Sequence, residues 1–390
     1  MRYSPLVGRI GGRRVAAWDL HYQASAAAAR GEDVIVLSVG DPDFATPAPI
    51  IEAAIAALQE GDTHYVEPTG RPAIRAAIAR EHERRSGQAV GPENVIFLSG
   101  AQNALASAAL CLLAEGDEVL VPEPMYLTYE PTIGLSGATL VPVPQPRETG
   151  FRLDLAALRD RVTQHSRAIF LATPCNPTGT VMSEAELTAI AELAQRHDLW
   201  VVADEVYATL AFDRPHVSIA ALPGMAERTV TVSSLSKSHA MAGWRAGWAV
   251  GPEEVIGHLT RLSMCLLYGL PGFVQEAAVE ALEHGAAASA AMRETYRRRR
   301  DLMLAGLAGV PGLSCLKPEA GMFMLVDIRE TGLTADDFAW RLYRETGVAV
   351  LDAGAFGECA AGCIRVSFAA GEALLAEAAR RIAGFAERLR

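Results

Sequence analysis

Only two of the 35 basic residues in this 390-residue chain are lysines, Lys237 and Lys317; the other 33 are arginines. A high-GC coding bias explains the scarcity but not where the two lysines stand. Lys237 follows the β-branched run Thr229-Ser233, in Ser234-Leu235-Ser236-Lys237-Ser238-His239, with Arg245 eight residues further on. A lysine desolvated beside another cation drops below its reference pKa of about 10.4 and becomes a usable nucleophile for a carbonyl. Lys317 precedes Pro318 in a Lys-Pro-Glu-Ala-Gly loop, which predicts a solvated surface position.

In parallel α/β sheets, ligands bind beyond the carboxyl ends of the strands, so the residues after each strand-like run matter most. Val95-Leu98 leads into Ser99-Gly100-Ala101-Gln102-Asn103, a small-residue turn into a helix whose free N–H groups and dipole suit a phosphate. Any βα loop can look like that. Ala168-Ala172 leads into Pro174-Cys175-Asn176-Pro177-Thr178-Gly179, which taken alone is ordinary turn punctuation. Leu199-Ala203 ends at Asp204-Glu205-Val206-Tyr207. A carboxylate closing an apolar strand either caps a helix or pairs with a cation, because a buried unpaired charge is costly. Neither GxGxxG nor GxxxxGK(S/T) stands at a strand end, which disfavours nicotinamide dinucleotides and P-loop nucleotides.

One cofactor needs all of these groups together. Pyridoxal 5'-phosphate requires a lysine for its aldehyde, an acid for its pyridinium nitrogen, donors for its phenolic oxygen and a cationic, N–H-rich cradle for its phosphate. Asn176, Asp204, Tyr207, Lys237 and Arg245 stand in that order at successive strand ends.

The elements that must position them alternate short β-branched runs with alanine-rich amphipathic stretches from about residue 50 to 284, the pattern of βαβ units and a largely parallel sheet. Thr139-Val143, Glu118-Val121 and Gly247-Val250 bring the expected strands to about seven. After a long arginine-bearing helix, Ser289 to Leu307, isolated strands (Met322-Asp327, Ile364-Phe368) alternate with helices, which reads as a smaller α+β unit. The expected division is a large cofactor-binding domain over 46–288 and a small discontinuous one over 1–45 and 289–390, with a ligand cleft between them.

Composition sets the outer limits. At 390 residues with half of them hydrophobic and a net charge of −11, the chain reads as an ordinary globular protein of two or three domains. The acidic balance argues against nucleic-acid and membrane partners, and Tyr296-Arg297-Arg298-Arg299-Arg300 reads as a solvated helix face. The first twenty residues carry no apolar core, so neither a signal peptide nor a membrane span is expected, and the location is cytoplasmic by default. No DNA-binding module is expected in the short stretch before Leu37. Six scattered cysteines without CxxC pairing, and no HExxH helix, predict neither disulfides nor a metal site.

Across nearly its whole length the chain resembles the fold-type I pyridoxal-phosphate enzymes, specifically the class I/II aminotransferases, and Ser234 to Gly247 is similar to that family's lysine signature at every defined position. The resemblance implies an α/β fold with a mainly parallel seven-stranded sheet plus a smaller α+β domain. It makes Lys237 the Schiff-base lysine and proton shuttle, and Asp204 the partner of the pyridine nitrogen. Asn176, which also borders the substrate, and Tyr207 would bond the phenolic oxygen. The backbone N–H groups of Ala101 and Gln102 would hold the phosphate with Ser234, Ser236 and Arg245, and Tyr126 would stack on the ring. Tyr65, in Thr63-His64-Tyr65, resembles the tyrosine that reaches the neighbouring subunit's phosphate, which implies a homodimer with shared active sites. Gly40 and Arg365 resemble the residues that meet the substrate carboxylate, where a planar guanidinium fork gives two-point binding. Turnover would be ping-pong between an amino acid and a 2-oxo acid.

Some aspartate-specific members carry an arginine three residues before the tyrosine that corresponds to Tyr268; here the residue is Cys265. Several longer stretches, Ala17 to Tyr22, Leu37 to Phe44, Glu123 to Glu130, and Ser234 to Trp244 with Leu266 to Gly269, resemble the arginine–pyruvate members of the family. That resemblance implies an arginine-degrading reaction in which L-arginine and pyruvate give 2-oxo-5-guanidinovalerate and L-alanine. A guanidinium needs acids or aromatic faces, and Trp18, Asp19, Tyr22 and Glu130 are candidates, although Trp18 and Tyr22 at i, i+4 also fit a core stripe. Aspartate, aromatic or broader amino-acid specificity, or a lyase reaction on the same scaffold, remain the alternatives.

Overall fold

The computed structural model describes residues 2–10 and 18–389; Ala17, in one of the stretches above, lies outside them. Its strands are β1 (Ile35–Val36), β2 (Val95–Ser99), β3 (Glu118–Glu123), β4 (Thr139–Pro144), β5 (Ser166–Ala172), β6 (Trp200–Asp204), β7 (Thr229–Ser234), β8 (Ala246–Val250), β9 (Ser314–Cys315), β10 (Phe323–Asp327), β11 (Val348–Ala349), β12 (Leu351–Asp352) and β13 (Cys363–Ser367). Seven of them form one sheet in the order β2-β8-β7-β6-β5-β3-β4.

Within that sheet β4, β3, β5, β6 and β7 pair in parallel, whereas β8 runs antiparallel to both β7 and β2. The reversal matters for the site. The carboxyl ends of β2, β5, β6 and β7 share one edge, and only the residue that precedes β8, Arg245, reaches that edge. The central strands read as continuous apolar runs because both faces are covered. Val202, Val230 and Ala249 pack beneath the helix Gly100–Leu112 through Ala104, Leu105 and Ala108, and Val201, Ala203 and Ile169 pack beneath Glu184–Arg196 through Leu187, Ile190 and Ala194. Ser183 and Glu186 close a capping box at the start of that second helix.

The remaining strands form a four-stranded antiparallel sheet, β12-β13-β10-β9, and a parallel pair, β1-β11. Phe338, Ile382 and Phe385 from the helices Ala335–Thr346 and Glu372–Glu387 share a core with Leu20, Ala24 and Leu37 from the amino-terminal segment. The two-residue strands β1, β9, β11 and β12 are too short to leave a pattern in the sequence.

The arginine run departs from its reading as a solvated face. Tyr296, Arg299 and Arg300 are buried, and only Arg297 and Arg298 lie outward. At i, i+3 and i+4 those three share the inner face of the helix Ala286–Leu307. Their charges are matched by carboxylates brought from far along the chain: Arg299 grips Asp43 with two bonds of 2.7 and 2.9 Å, and Arg300 bonds Asp213 at 2.7 Å. Among the described residues no helix is long and apolar enough to cross a membrane, no cluster of three or more His, Cys, Asp or Glu could hold a metal ion, and the six cysteines are free.

Candidate active site

A cavity of about 240 Å³ opens at the carboxyl edge of the large sheet. Its walls come from the ends of β5, β6 and β7, the start of the helix Gly100–Leu112, β10 and β13 from the smaller sheet, and the segment after β1. Of the residues singled out in the sequence, Gly40, Ala101, Gln102, Tyr126, Asn176, Asp204, Tyr207, Ser234, Ser236, Lys237, Arg245, Arg365 and Trp18 all line it.

Asp204 closes β6 and turns into the cavity. Its carboxylate accepts the Tyr129 hydroxyl at 2.9 Å and the Val206 N–H at 3.1 Å, so it serves the local turn and still faces the cavity. Burial pushes its pKa up to about 6 against the pull of those two donors. No cation of the described chain pairs with it, and a protonated pyridine nitrogen fits that need. Burial also raises the pKa of Tyr126, Tyr129 and Tyr207, which keeps these phenols protonated as donors. Glu205, one residue on, points to the opposite face. Burial works against its charge, yet His216 at 3.2 Å, Arg85 at 3.8 Å and the Ser218 hydroxyl at 2.5 Å hold its pKa down to about 2.

The other end of the cavity suits an anion. Ser99 makes no side-chain cap on the helix Gly100–Leu112, so the N–H groups of its first turn remain available, and the helix dipole adds positive potential there. The Gln102 side chain is engaged elsewhere, bonding Thr132 and Thr128 at 2.8 and 2.6 Å, which leaves its backbone as the donor. Arg245 reaches this turn in the left-handed conformation, φ +55°, and its guanidinium donates only to neutral acceptors, the Ala242 and Ser99 carbonyls at 3.0 and 3.4 Å, among the described residues. Two glycines make room. A Cβ at Gly247 would stand 2.6 Å from the Ala101 nitrogen, and one at Gly100, where φ is +74°, would stand 2.5 Å from the Arg245 guanidinium. This donor set fits the phosphate of pyridoxal 5'-phosphate.

Lys237 lies between the two ends. Its Nζ donates to the Gly40 carbonyl at 2.6 Å. Burial lowers its pKa; Asp41 opposes the shift, and the cations Arg245 and Arg365 add to it. Gly40 tolerates no side chain, because a Cβ there would meet the Phe323 ring at 2.0 Å.

Arg365, in β13, is buried between the rings of Phe323 and Phe356, 4.0 and 4.5 Å from their centroids. Its Nη1 donates to Asn176 Oδ1 at 3.0 Å and its Nη2 to the Ser38 carbonyl at 2.7 Å, while Nε has no partner. Burial pulls its pKa down to about 10, which leaves it charged at neutral pH. A buried guanidinium bonded only to neutral acceptors is matched by a substrate carboxylate.

Some candidates lie elsewhere. Asp19, Tyr22 and Glu130 do not line the cavity, and Tyr22, 66% exposed, belongs to no core stripe; Leu20, Ala24 and Ala27 form the buried face of the helix Asp19–Ala29. Tyr65 is 89% exposed, packed against Tyr268 at 4.9 Å and away from this cavity. Lys317 is 59% exposed and pairs with Asp213 at 3.2 Å. Sequence reasoning missed Tyr129, Phe323, Phe356 and Ser38 as supports of the site. Of these, only Tyr129 left a signal, as a second aromatic three residues after Tyr126.

Residues 32–382 match the family Aminotransferase class I and II. The chain is 54% identical over 383 residues to the arginine–pyruvate transaminase of Pseudomonas aeruginosa, covering 98% of each. It is 38% identical to an aspartate aminotransferase of Pyrococcus abyssi, over 91% of this chain and 92% of that one. Among solved structures, the aspartate aminotransferase from Thermus thermophilus with maleate superposes with a TM-score of 0.93 at 35% identity over the whole of both chains. The lysine, the buried acid, the anion cradle and the guanidinium thus sit in a fold shared with these enzymes, and the chain belongs to the class I and II aminotransferases, which work with pyridoxal 5'-phosphate.

Proposed function

We propose that the chain transfers the α-amino group of L-arginine to pyruvate, giving 2-oxo-5-guanidinovalerate and L-alanine. The observation that carries transamination is Arg365, a buried guanidinium without a carboxylate partner on the wall that also bears Lys237 and Asp204. A clamp that holds the α-carboxylate retains it, so the Cα–H bond is the one that breaks. The choice of L-arginine is supported by the 54% identity to the Pseudomonas aeruginosa transaminase, by Cys265 in place of an arginine, and by Trp18, an aromatic wall suited to a guanidinium.

Each residue then has one task. When bound, pyridoxal 5'-phosphate supplies an aldehyde that takes amines and a ring that accepts the electrons released at Cα. Arg365 binds and orients the substrate carboxylate, with Gly40 beside it. Lys237, its ammonium weakened by burial, takes the proton from Cα and returns it on the cofactor side. Asp204 holds a proton on the ring nitrogen. Asn176 and Tyr207 orient the phenolic oxygen, and Tyr126 covers the ring. The first-turn N–H groups, Ser234, Ser236 and Arg245 fix the phosphate.

The test is a single turnover of the cofactor-loaded protein. L-Arginine alone should convert the visible band of the lysine-bound cofactor and release one equivalent of 2-oxo acid; pyruvate should restore the band and yield L-alanine. A band that responds to aspartate or an aromatic amino acid but not to L-arginine overturns the substrate assignment and leaves the family intact. Trp18→Ala should raise KM for L-arginine by about tenfold, the scale of a desolvated cation–π contact, and leave that for L-alanine nearly unchanged.

We also propose a homodimer with shared active sites, in the cytoplasm, where free amino acids and 2-oxo acids meet. Its support is Tyr65, almost fully exposed on one chain and packed on Tyr268, in a surface that also exposes Met264 and Leu266. A dimeric mass in solution, with cofactor affinity reduced about tenfold in Tyr65→Phe, is the expected result; a single-chain mass overturns it.

A further inference from the structure

His21 belongs to no part of the machinery described so far, yet it is one residue removed from it. Its Nδ1 lies 2.9 Å from the Ser38 hydroxyl, across the gap between the helix Asp19–Ala29 and the segment after β1. Ser38 is fully buried, and its carbonyl is one of only two acceptors that hold the Arg365 guanidinium. Two residues later in the same segment, the Gly40 carbonyl takes the Lys237 bond. The flanking backbone is pinned to the smaller sheets at Leu37, which donates to Ala349 and accepts from Ser367. No such backbone bond fixes the Ser38 side chain, and His21 supplies its anchor.

The imidazole is itself held in place. Trp18 meets it edge to face at a centroid distance of 5.5 Å and 77°, and the Tyr22 ring lies 5.6 Å away at a tilt of 55°. Burial and the nearby Arg365 cation lower its pKa from the usual histidine value and so favour the neutral ring, which makes the bond in either tautomer, Nδ1 accepting the Ser38 hydroxyl proton or its N–H donating to the hydroxyl oxygen.

We infer that His21 is a positioning residue for α-carboxylate binding: its bond to Ser38 orients the carbonyl that aims the Arg365 fork. The inference rests on the reading of Arg365 as the carboxylate clamp. One helical turn then carries both the aromatic wall for the substrate side chain, Trp18, and the support for its carboxylate, His21. Every amino-acid or 2-oxo-acid substrate has that carboxylate, so His21 acts on all of them, whereas Trp18 acts on long cationic ones.

The experiment uses the cofactor-loaded enzyme and half-reactions with L-arginine and with L-alanine. His21→Ala should raise KM for both amino acids by about five- to tenfold, the scale of one buried hydrogen bond, with kcat and the visible band of the bound cofactor within about twofold of wild type. His21→Asn, whose amide can occupy the place of Nδ1, should restore most of the KM; His21→Gln, which extends past it, should not. Ser38→Ala removes the other end of the same bond while keeping the carbonyl, and should cost no more when combined with His21→Ala than alone. A KM change confined to L-arginine, a fall in kcat at constant KM, additive costs in the double variant, or failure of Asn to rescue each overturns the inference. Arg365→Lys separates the two levels of the argument: if it leaves KM for both amino acids unchanged, the clamp reading itself fails, whereas a large Arg365→Lys effect with a silent Ser38→Ala overturns His21 alone.

Discussion

Lys237→Ala is expected to remove turnover, by at least about 10³-fold, because in the proposed reaction it deletes both the amine that joins the cofactor and the group that moves the Cα proton. No other residue can take over. The second lysine of the chain, Lys317, is solvent-exposed, paired with Asp213 and absent from the cavity wall. The arginines that do line the cavity, Arg245 and Arg365, carry guanidinium groups in place of an amine and cannot act as amine nucleophiles. The visible band of the lysine-bound cofactor should disappear in this variant, and single-turnover mixing with L-arginine should release no 2-oxo acid on the wild-type time scale. Wild-type turnover by Lys237→Ala would overturn the mechanism at its centre.

Asp204→Asn is expected to slow the reaction by about 10²–10³-fold, the cost of losing one preorganised charge at the atom where electrons collect. The amide keeps the Val206 N–H on its single oxygen and turns its NH2 toward the Tyr129 hydroxyl oxygen, but it no longer holds a proton on the ring nitrogen. The same substitution should move stability in the opposite direction. In the cofactor-free protein, burial raises the Asp204 pKa from 3.8 to about 6, so the folded chain binds the proton more tightly than the unfolded one. That contribution is fully present below pH 3.8 and is lost as pH rises through 6. At pH 7 it leaves the ionised carboxylate, hydrogen-bonded but without a counter-charge, costing about 3 kcal/mol. Urea unfolding of the cofactor-free proteins should therefore find Asp204→Asn more stable than wild type at pH 7 and level with it near pH 4. Equal stability at both pH values would show that the carboxylate is already compensated.

Asp204 was legible in the sequence because a carboxylate at the end of an apolar strand has few explanations. Asn176, Lys237 and the turn after β2 were legible for a related reason: parallel strands deliver their carboxyl ends to one edge, so reading strand ends reads the site. Arg245 was legible only through its spacing from Lys237, since β8 runs against its neighbours and presents its first residue instead of its last. Phe323, Phe356 and Ser38 act through tertiary contact, and a phenylalanine that flanks a guanidinium looks in sequence like any core residue. The arginine run misled for the mirror reason. A charged residue is read as exposed unless its counter-charge is visible, and Asp43 and Asp213 arrive from segments far along the chain. Trp18 and Tyr22, one helical turn apart, were equivalent by periodicity; packing alone separates the cavity wall from the solvent face.

The acceptors of Arg365 lie 327 residues away at Ser38 and 189 away at Asn176. Loop closure over such separations is entropically expensive and comes late in topologically complex chains. Carboxylate recognition is therefore a property of the finished molecule and of no fragment. A truncation that removed β13 would take Arg365 with it and leave nothing with which to grip the carboxylate of an amino acid. The cradle draws on residues of one sheet between Gly100 and Arg245, whereas the grip joins three parts of the chain that meet only when both sheets are in place.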